Sequence, residues 1–565
     1  MTDLQPTVRR ACATLSSLTI ALLLAGCVSA PQGPVTLNLV SLNDFHGNLE
    51  PSRYVLKGVD GKEEVMRAGG AEAVAAALQA WRKEDKELLL VSTGDIVGAS
   101  PALSSMWADE PTIEVMNMLN LRASAVGNHE FDGGRKELLR QQHGGCDSPH
   151  PSKACKFTPD FKGASFTYLG ANVIDKATGT PLIPGYTIET VKGIKVGLVG
   201  VVLRDTPNMV VASGIAGLQF GDEAEAINNA LPAMRAAGAK VIVALVHQGG
   251  RTVESPLQAG CSKLQGEIVD VTKRIDPSVK LVLTGHSHQG YLCDVDGKAV
   301  TQADTAGHLL TRVSMQVEPA TGAVSDLKVN NIVMKPGAYP ADPKMNAFIA
   351  QVKERSQAAL TRPIAKVAGA PLLRKTNDAG ESVLGSLIAD AALASVRSQG
   401  AQLAFMNNGG VRRDLEANPD GTVTFGQAQV VLPFGNTTVI MDLTGAQIRR
   451  LLERQWPDGT DSNSSVMQVS QGFSYAWDPK RPSGSRIVPG SLELDGKPME
   501  DGATYRIATN NFLAEGSDGY PEFGQGTARV DTGMRDLDGF IAYLKQREEQ
   551  GAALAAPAPR IIKVN

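Results

Sequence analysis

Five short polar motifs carry most of the chemistry that this sequence can offer. Each follows directly on a short apolar run, and together they hold two aspartates, one asparagine and five of the eight histidines. The motifs are Asp44-Phe45-His46, Gly94-Asp95, Gly127-Asn128-His129-Glu130, His247-Gln248 and Gly285-His286-Ser287-His288. Imidazole and carboxylate groups are the ligands that proteins use for zinc, manganese or iron. The sequence therefore predicts one metal site that is assembled from distant parts of the chain.

The apolar runs before these motifs are predicted to be buried strands. They are short, rich in leucine and β-branched residues, and bounded by Gly, Asn or Asp, while helical patterns such as 70–84 and 224–237 lie between them. The runs are 36–43, 88–93, 123–126, 241–246 and 280–284. Strands that alternate with helices indicate an α/β core, in which ligands bind beyond the carboxyl ends of the strands. All five motifs fall at that edge, so their side chains are expected to meet there.

Each motif also has an ordinary structural interpretation when it is taken alone. An isolated Asp-x-His is more often a turn, Asn128 with His129 could cap a helix, and 285–288 could be a solvated loop. The presence of all five in this order favours a centre with two metal ions. No histidine follows His308, which keeps the predicted metal chemistry out of the C-terminal portion.

The ordered set D-x-H, G-D, G-N-H-E, H and G-H-x-H resembles the calcineurin-like metallophosphatase superfamily. More narrowly, N-D-F-H-G, S-T-G-D, G-N-H-E-F-D and G-H-S-H are similar to the bacterial 5′-nucleotidase/UDP-sugar hydrolase family. The resemblance implies an α/β fold: a four-layer αββα metallophosphatase domain at 35–335, a linker helix at 340–362 and a smaller α/β substrate-binding domain, the 5′-nucleotidase domain, at 363–565. In that family the two domains rotate about the linker to close on substrate.

The residues themselves support a boundary at this place. The segment 330–343 is rich in turn signals, and Asp342-Pro343 is a favourable helix start because a cap residue precedes proline at the first helical position. The following segment, 344–359, is predicted to be the helix. It could equally pack on one domain without acting as a linker.

The resemblance also implies a ligand set for two divalent ions, such as zinc or manganese. The first site would contain Asp44, His46 and His288, and the second Asn128, His247 and His286. Asp95, which is anionic and central, would bridge the two ions. His129 would donate a hydrogen bond or a proton toward the transferring phosphate, and Asp132 would orient it. Asp132 could instead cap the helix that follows.

Three turn-rich segments in the second half suggest a substrate clamp. They are 407–412, 432–436 and 510–521, and they contain two phenylalanines and an arginine. Aromatic faces bind bases by stacking, and an arginine fork suits phosphate, although such aromatics could equally be core residues. By resemblance, Phe434 and Phe512 would sandwich the base and Asp518 would meet the ribose hydroxyls. The remaining contacts to base and phosphate would come from Asn407, Asn436 and Arg412.

One departure from the family pattern affects phosphate recognition. Nucleotidases of the family often place two arginines shortly before the segment that matches 385–388. Here Arg374 alone lies nearby and its register is uncertain. The sequence therefore leaves open the preference among mono-, di- and cyclic nucleotides.

The first 27 residues are predicted to be a lipoprotein signal peptide. Arg9-Arg10 precede an apolar stretch, 11–26, which is shorter than the roughly 18 residues of a membrane span. The ending Leu24-Ala25-Gly26-Cys27 resembles a bacterial lipoprotein signal, which implies a lipid on Cys27; the alternative is an ordinary secretory signal. By the same resemblance, Val28 after the cysteine favours the outer membrane. We therefore expect a lipid-anchored protein of the bacterial cell envelope.

The remaining cysteines fit an exported protein. Cys146, Cys155, Cys261 and Cys293 are even in number, which suggests disulfide bonds with three possible pairings. Cys146 and Cys155 bracket a short polar loop, whereas the other two flank the strand that leads to His286. A structural zinc is the alternative, but C-x-x-C spacing is absent from the sequence.

Length and charge set broad limits. The 565 residues suggest two or more domains, and a net charge of −4 gives no basic footprint for a nucleic-acid polymer.

The expected function is 5′-nucleotidase hydrolysis of extracytoplasmic nucleotides by a water activated by two metals, in a monomer. The alternatives are a 2′,3′-cyclic-nucleotide phosphodiesterase, a UDP-sugar diphosphatase, or a surface nucleotide-binding protein without catalysis.

Overall fold

The structure, a computed structural model, describes residues 33–367, 372–456, 466–551 and 558–564. The predicted signal peptide and its lipidation site, Cys27, lie outside these ranges. The described chain forms two α/β domains in succession. Within the described ranges, no helix is both long enough and apolar enough to cross a membrane.

Over residues 33–335, the N-terminal domain contains eighteen strands and six helices. The strands are β1 Val35–Leu42, β2 Ser52–Lys57, β3 Glu63–Ala68, β4 Leu89–Ser92, β5 Ala123–Ala125, β6 Thr167–Leu169, β7 Val173–Asp175, β8 Thr180–Pro181, β9 Tyr186–Val191, β10 Ile194–Val202, β11 Leu218–Phe220, β12 Val241–His247, β13 Ala259–Cys261, β14 Leu281–Thr284, β15 Gly290–Val295, β16 Lys298–Ala303, β17 Leu309–Val317 and β18 Val324–Val333. The helices are α1 Ala71–Glu84, α2 Ala102–Ser105, α3 Glu110–Met118, α4 Gly134–His143, α5 Glu223–Ala236 and α6 Glu267–Arg274. The predicted strands and the two predicted helices are therefore confirmed, with ends shifted by a residue or two.

Two large sheets form the centre of this domain. One has the order β18-β17-β1-β4-β5-β6 and the other β13-β15-β16-β14-β12-β10-β9. Leu39 and Val91 of the first sheet pack with Leu245 and Leu283 of the second in one buried cluster. Helix α1 covers the outer face of the first sheet, and α5 and α6 cover that of the second. The layers are thus helix, sheet, sheet and helix, as the sequence resemblance implied.

Parallel pairing brings the strand ends together. β1, β4, β5 and β6 are mutually parallel neighbours, and so are β10, β12 and β14. Their carboxyl ends therefore share one edge of the two-sheet core. The polar motifs follow β1, β4, β5, β12 and β14 at this edge.

A long helix, α7 Pro343–Leu360, separates the two domains in sequence. The carboxylate of Asp342 accepts hydrogen bonds from the backbone N–H groups of Lys344 and Met345, and Pro343 occupies the first turn. This is the start that the sequence predicted. Met345, Ile349 and Val352 pack into the cluster under the first sheet, so the helix is anchored on the N-terminal domain.

The C-terminal domain is smaller and contains a five-stranded sheet. Its strands are β19 Pro363–Lys366, β20 Leu403–Met406, β21 Thr422–Thr424, β22 Thr437–Thr444, β23 Gln468–Val469, β24 Phe473–Trp477, β25 Glu493–Leu494, β26 Lys497–Pro498, β27 Thr504–Asn510, β28 Thr527–Arg535 and β29 Ile561–Lys563. The helices are α8 Val383–Val396, α9 Phe425–Gln429, α10 Gly445–Glu453, α11 Asn511–Ala514, α12 Pro521–Gly524 and α13 Asp536–Glu549. The main sheet has the order β23-β20-β27-β22-β28, and a second sheet pairs β26-β25-β24-β29.

Candidate metal centre and substrate cavity

The candidate ligands lie at one edge because each follows a strand of the central sheets. Asp44 and His46 come after β1, Asp95 after β4, and Asn128 after β5. On the facing sheet, His247 is the last residue of β12, while His286 and His288 follow β14. These side chains, from separate segments of the chain, converge on one place, as the strand-end argument predicted.

The backbone at this place is strained in a way that points to function. Five of the seven candidate ligands are non-glycine residues with positive φ: Asp44 (49°), His46 (46°), Asp95 (51°), His286 (71°) and His288 (53°). Such conformations cost about 1–3 kcal/mol each and persist only where the surroundings enforce them. Their concentration in the ligand loops indicates that the loops are shaped for a site.

The first group of donor atoms contains Asp44, His46, Asp95 and His288, all within 4.8 Å of one another. His46 Nε2 lies 3.0 Å from His288 Nε2 and 3.6 Å from Asp95 Oδ2. His288 Nε2 lies 3.4 Å from Asp44 Oδ1. Donors about 2.1 Å from a tetrahedral ion are about 3.4 Å from each other, so these spacings fit one cation.

The second group contains Asp95, His247 and His286. His247 Nε2 lies 3.1 Å from Asp95 Oδ2 and 3.2 Å from Asn128 Oδ1. The same amide oxygen is 3.1 Å from His286 Nδ1. Asp95 belongs to both groups, which is the position that a bridging carboxylate requires. The donor set of imidazole, carboxylate and amide oxygen suits divalent metal ions.

Burial and charge give the groups of this centre unequal proton affinities. Burial alone would raise the pKa of Asp95, but His247 and His129 hold it well below its usual range. Burial would lower the pKa of His247, yet the carboxylate of Asp95 raises it to about 9. Burial and the neighbouring His247 lower the pKa of His286 to about 4.

His129 stands beside the centre without belonging to either donor group. Its Nδ1 lies 2.9 Å from Asp132 Oδ2, and its backbone N–H donates to Asp95 Oδ1 at 2.9 Å. Burial would lower the pKa of His129, but the charges of Asp132 and Asp95 raise it. Helix α4 starts after Gly133 and has no side-chain cap, so Asp132 does not serve as the helix cap that was the alternative. Its carboxylate instead engages His129.

Sequence reasoning missed the role of Glu130 in the same motif. Its carboxylate is buried and accepts hydrogen bonds from the backbone N–H groups of Asp95 (2.9 Å), Ile96 (2.8 Å) and Gly127 (2.6 Å). Burial, followed by repulsion from Asp95, raises the pKa of Glu130 to about 7. This side chain ties the loop after β4 to the loop after β5, and the motif G-N-H-E carried the signal.

A cavity of about 240 Å³ opens directly beside this centre, between the two domains. The N-terminal domain contributes residues of the metal centre and the loop after β10, and the C-terminal domain contributes the predicted clamp. The lining is formed by Asn128, His129, Asp132, Met209, Val210, Val211, His286, Asn407, Gly409, Gly410, Arg412, Phe434, Asn436, Phe512 and Asp518. Six of the seven predicted substrate-binding residues therefore meet at one cavity with His129.

Aromatic and polar groups are arranged across this cavity. Phe434 stacks parallel to the His129 ring, with centroids 5.7 Å apart and 15° between planes. The guanidinium of Arg412 lies 5.8 Å from the centroid of Phe434. Phe434 and Phe512 are both half-buried, and Asn407 Nδ2 donates to Asp518 Oδ2 at 2.9 Å. Their partial exposure distinguishes them from core phenylalanines such as Phe405 and Phe473, which are at most 1% exposed.

Arg374 is the predicted residue that does not line the cavity. Its side chain is exposed, and its backbone N–H donates to Asp414 Oδ1 at 2.8 Å. Its charge still acts on Arg412: burial, and then the positive charge of Arg374, lower the pKa of Arg412. Sequence reasoning left the register of this arginine open, and the structure places it outside the cavity lining.

The loop after β10 forms a wall that the sequence did not indicate. Met209, Val210 and Val211 face the cavity, and the same loop binds the clamp domain. The N–H of Asp518 donates to the carbonyl of Asn208 at 2.6 Å. The hydroxyl of Ser517 donates to the carbonyl of Val210 at 3.2 Å. An apolar loop far from every motif offered no signal of this contact.

Two disulfide bonds brace the N-terminal domain. They join Cys146 to Cys155 and Cys261 to Cys293, so the local pairing and the β13–β15 pairing are the ones present among the three possible arrangements. The second bridge links β13 to β15, the strand that follows His288. The alternative of a structural zinc is wrong, because all four sulfur atoms are used in these bonds.

Two protein-family models match the chain. Residues 37–290 match the model of calcineurin-like phosphoesterases, and residues 362–525 match the C-terminal domain of 5′-nucleotidases. The chain also resembles the crystal structure of the 5′-nucleotidase precursor from Thermus thermophilus. That likeness has a TM-score of 0.72 at 29% sequence identity and covers 94% of this chain and 100% of the other.

Relatives of similar sequence include proteins with other names. The cell wall protein Lmo0130 of Listeria monocytogenes is 30% identical over 556 residues, which cover 93% of this chain and 69% of that protein. The endonuclease YhcR of Bacillus subtilis is 30% identical over 92% of this chain. This chain spans 40% of the length of that endonuclease.

Proposed function

The chain belongs to the 5′-nucleotidase family of calcineurin-like phosphoesterases, which hydrolyse phosphate esters, and on this premise we propose that it releases phosphate from nucleoside 5′-phosphates. One observation carries the proposal. The 240 Å³ cavity is lined by the candidate ligands Asn128 and His286 and by His129, and two half-buried phenylalanines and Asp518 line the same cavity. A nucleotide offers both a phosphate ester for the candidate ligands and a flat ring with hydroxyls for the aromatic and acidic side chains.

Two divalent ions, zinc or manganese, are proposed to bind the two donor groups. Asp95 would contact both ions, since its carboxylate belongs to both groups. When bound, such ions supply Lewis acidity, which neutralises phosphoryl charge and makes water more acidic. The buried, strained ligand loops hold their donors in place before any ion arrives, which reduces the cost of ordering them.

His129 is proposed to act on the transferring phosphate or its leaving oxygen. Its Nδ1 is held by Asp132, which leaves Nε2 to present a proton toward the cavity. Burial would lower the pKa of His129, but the charges of Asp132 and Asp95 raise it, which favours the protonated ring. A group in this position can donate to the departing ribose oxygen as the ester bond breaks.

The clamp is proposed to select the nucleoside. A base that enters between the cavity walls would stack on Phe434 or Phe512, and its ribose hydroxyls would reach the carboxylate of Asp518. Asp518 is exposed at the cavity and accepts a hydrogen bond from Asn407 Nδ2, so its carboxylate can also accept from a ribose hydroxyl. Arg412, which lines the cavity together with His129 and lies 5.8 Å from the centroid of Phe434, supplies a planar fork that suits phosphate.

The test is a substrate panel with protein reconstituted with Mn²⁺ or Zn²⁺, read as release of inorganic phosphate. Nucleoside 5′-monophosphates are compared with 2′,3′-cyclic nucleotides, UDP-sugars and the small ester nitrophenyl phosphate. Asp95→Ala, which removes the shared carboxylate, is the matched inactive control. Preferred turnover of the 5′-monophosphates supports the proposal, whereas turnover of another class alone would replace it.

Anchoring in the cell envelope by acyl chains on Cys27 is a further part of the proposal. It rests on the ending Leu24-Ala25-Gly26-Cys27 and on the two disulfide bonds, which persist in oxidising compartments. Stable anchoring takes two lipid signals, which a diacylated cysteine provides. Cells fed with radiolabelled palmitate should label the wild-type protein in the outer-membrane fraction and not the Cys27→Ser variant. Equal labelling of both proteins would reject the anchor.

A further inference from the structure

Three side chains of the N-terminal domain form a serine–histidine–aspartate array outside the catalytic cavity. His308 Nε2 lies 2.6 Å from Ser52 Oγ, and His308 Nδ1 lies 2.8 Å from Asp304 Oδ1. His308 is 3% exposed, and its ring stacks on Tyr54 with centroids 4.7 Å apart. A neutral imidazole satisfies both contacts, because Nδ1 donates to the carboxylate while Nε2 accepts from the hydroxyl.

The surroundings of this array do not suit a nucleophile. Serine hydrolases present the serine in an open cavity with donors for an oxyanion. Ser52 instead opens β2, where its backbone is paired with Ala68 of β3, and its hydroxyl is engaged by a buried ring. We therefore treat the array as a structural feature that fixes the residues around it, and not as a catalytic one.

Asp304 and His308 of the array belong to a strained turn between β16 and β17. Positive φ angles occur at Asp304 (60°), Ala306 (57°) and Gly307 (68°). Non-glycine residues adopt this conformation only when neighbours enforce it. Asp304 Oδ1 also accepts from the N–H of Thr305 at 2.8 Å, and the N–H of His308 donates to the carbonyl of Thr305 at 2.9 Å. These bonds and the array together fix the turn.

This turn holds the backbone of the metal ligand Asp44. The N–H of Ala306 and the hydroxyl of Thr305 donate to the carbonyl of Asp44 at 2.8 and 2.7 Å. The amide of Asn43 donates to the Asp304 carbonyl at 2.5 Å and to Asp44 Oδ2 at 2.7 Å. Both the backbone and the carboxylate of Asp44 are thereby connected to the turn.

The same turn also contacts the segment that carries His288, another donor of the first group. The N–H of Asp304 donates to the carbonyl of Gln289 at 3.0 Å, and Gln289 directly follows His288. A Cβ on Gly307 would lie 3.3 Å from the ring of Phe45, the central residue of the first motif. The turn therefore contacts the segments that carry three of the four donors in the first group.

The second donor group is connected to the turn less directly. The N–H of His286 donates to the carboxylate of Asp44 at 3.0 Å, so the link to this group passes through Asp44. The ring of His247, a donor of this group, is held from elsewhere, because its Nδ1 lies 2.7 Å from the carbonyl of Thr93. A change in the turn should therefore disturb the first group more than the second.

We propose that His308, with Ser52 and Asp304, is a positioning residue that sets the metal affinity of the Asp44–His46–His288 site. The inference rests on the proposed metal centre, although not on the identity of the substrate. Partners behind metal ligands commonly change affinity by about 10–100-fold when they are removed. The effect falls mainly on one of the two binding events, because the hydrogen bonds of the array lead to Asp44 and to the residue after His288.

The test measures Mn²⁺ binding to the metal-free full chain by titration calorimetry and by electron paramagnetic resonance. His308→Ala should weaken one binding event by about 10–100-fold and leave the other within about threefold. His308→Asn keeps a donor near the Nδ1 position and should recover most of this loss. Ser52→Ala removes one contact and should weaken binding less than His308→Ala. His143→Ala, an exposed histidine at the end of α4, is the matched control and should bind as the wild type does.

Several results would overturn the inference. Unchanged affinities in His308→Ala would show that the turn needs no support from the array. An equal weakening of both events, with a lower unfolding temperature and no recovery in His308→Asn, would show a general packing defect. Labelling of Ser52 by an organophosphorus reagent would mark it as a nucleophile instead. If the wild type split its binding events as expected but released no phosphate from any nucleotide, the proposed function would fail while this inference stood.

Discussion

The unequal proton affinities at the metal centre predict how metal binding should depend on pH. In the metal-free protein, Asp95 raises the pKa of His247 to about 9, whereas His286 has a pKa of about 4. Near neutral pH, His247 therefore holds a proton on the nitrogen that lies 3.1 Å from Asp95 Oδ2, and His286 does not. A cation that enters the second donor group must displace this proton.

The size of the effect follows from the distance between the working pH and the pKa. At pH 7, two units below the His247 value, displacement of the proton costs about 2.7 kcal/mol of metal-binding free energy. The apparent affinity of the second site should rise about tenfold per pH unit between pH 7 and 9, then level off. In the metal-free protein the pH dependence of folding stability has the opposite sign to that of metal affinity. Since the folded pKa of His247 is raised, its stabilising contribution is present below about pH 6.5 and is lost as pH rises through 9.

Two measurements check this expectation. Competition with a chromophoric chelator gives the affinity for Mn²⁺ at half-unit steps from about pH 7 to 9.5, the range that brackets the His247 pKa. Calorimetry in two buffers of different ionisation enthalpy counts the protons released, and about one should leave per ion at the second site near pH 7.5. His143→Ala should keep both the slope and the proton count. A flat affinity over this range, or a count of zero protons, would refute the assignment of the proton to the His247–Asp95 pair.

Three further outcomes are expected. His129→Ala should lose about 10²–10⁴-fold in kcat while binding both metals as the wild type does, measured by metal analysis beside phosphate release; equal loss of metal would make His129 a ligand. Phe512→Ala should lose about 1–3 kcal/mol in kcat/KM for a nucleotide and far less for nitrophenyl phosphate, whereas a parallel fall would mark it as a core residue. The double variant Cys146→Ser with Cys155→Ser should lower the free energy of unfolding by up to about 3 kcal/mol, because the bridge closes a short loop; no change in denaturant unfolding would contradict this.

The sequence was sufficient to place the candidate ligands because their signal is local. Short apolar runs that end one or two residues before Asp44, Asp95 and Asn128 indicate buried strands, and parallel α/β sheets bring such ends to one edge. The start of α7 was equally local, since Asp342 and Pro343 encode a cap and a first turn. Residue type and the alternation of strand-like runs with helical patterns therefore indicated the α/β class, the edge and the candidate ligands, whereas the four-layer arrangement and the bridging role of Asp95 were implied only by the family resemblance.

Tertiary structure decided which of these side chains touch. The membership of Asp95 in both donor groups depends on sheet order and on loops with positive φ, which no periodicity reports. The distance of Arg374 from the cavity and the wall formed by Met209 depend on how two domains dock. The hydrogen bonds that connect His308 to Asp44 through the turn between β16 and β17 join residues more than 250 positions apart. Local sequence sets what each segment can bind. Packing between distant segments sets where each side chain points and whether it carries a proton.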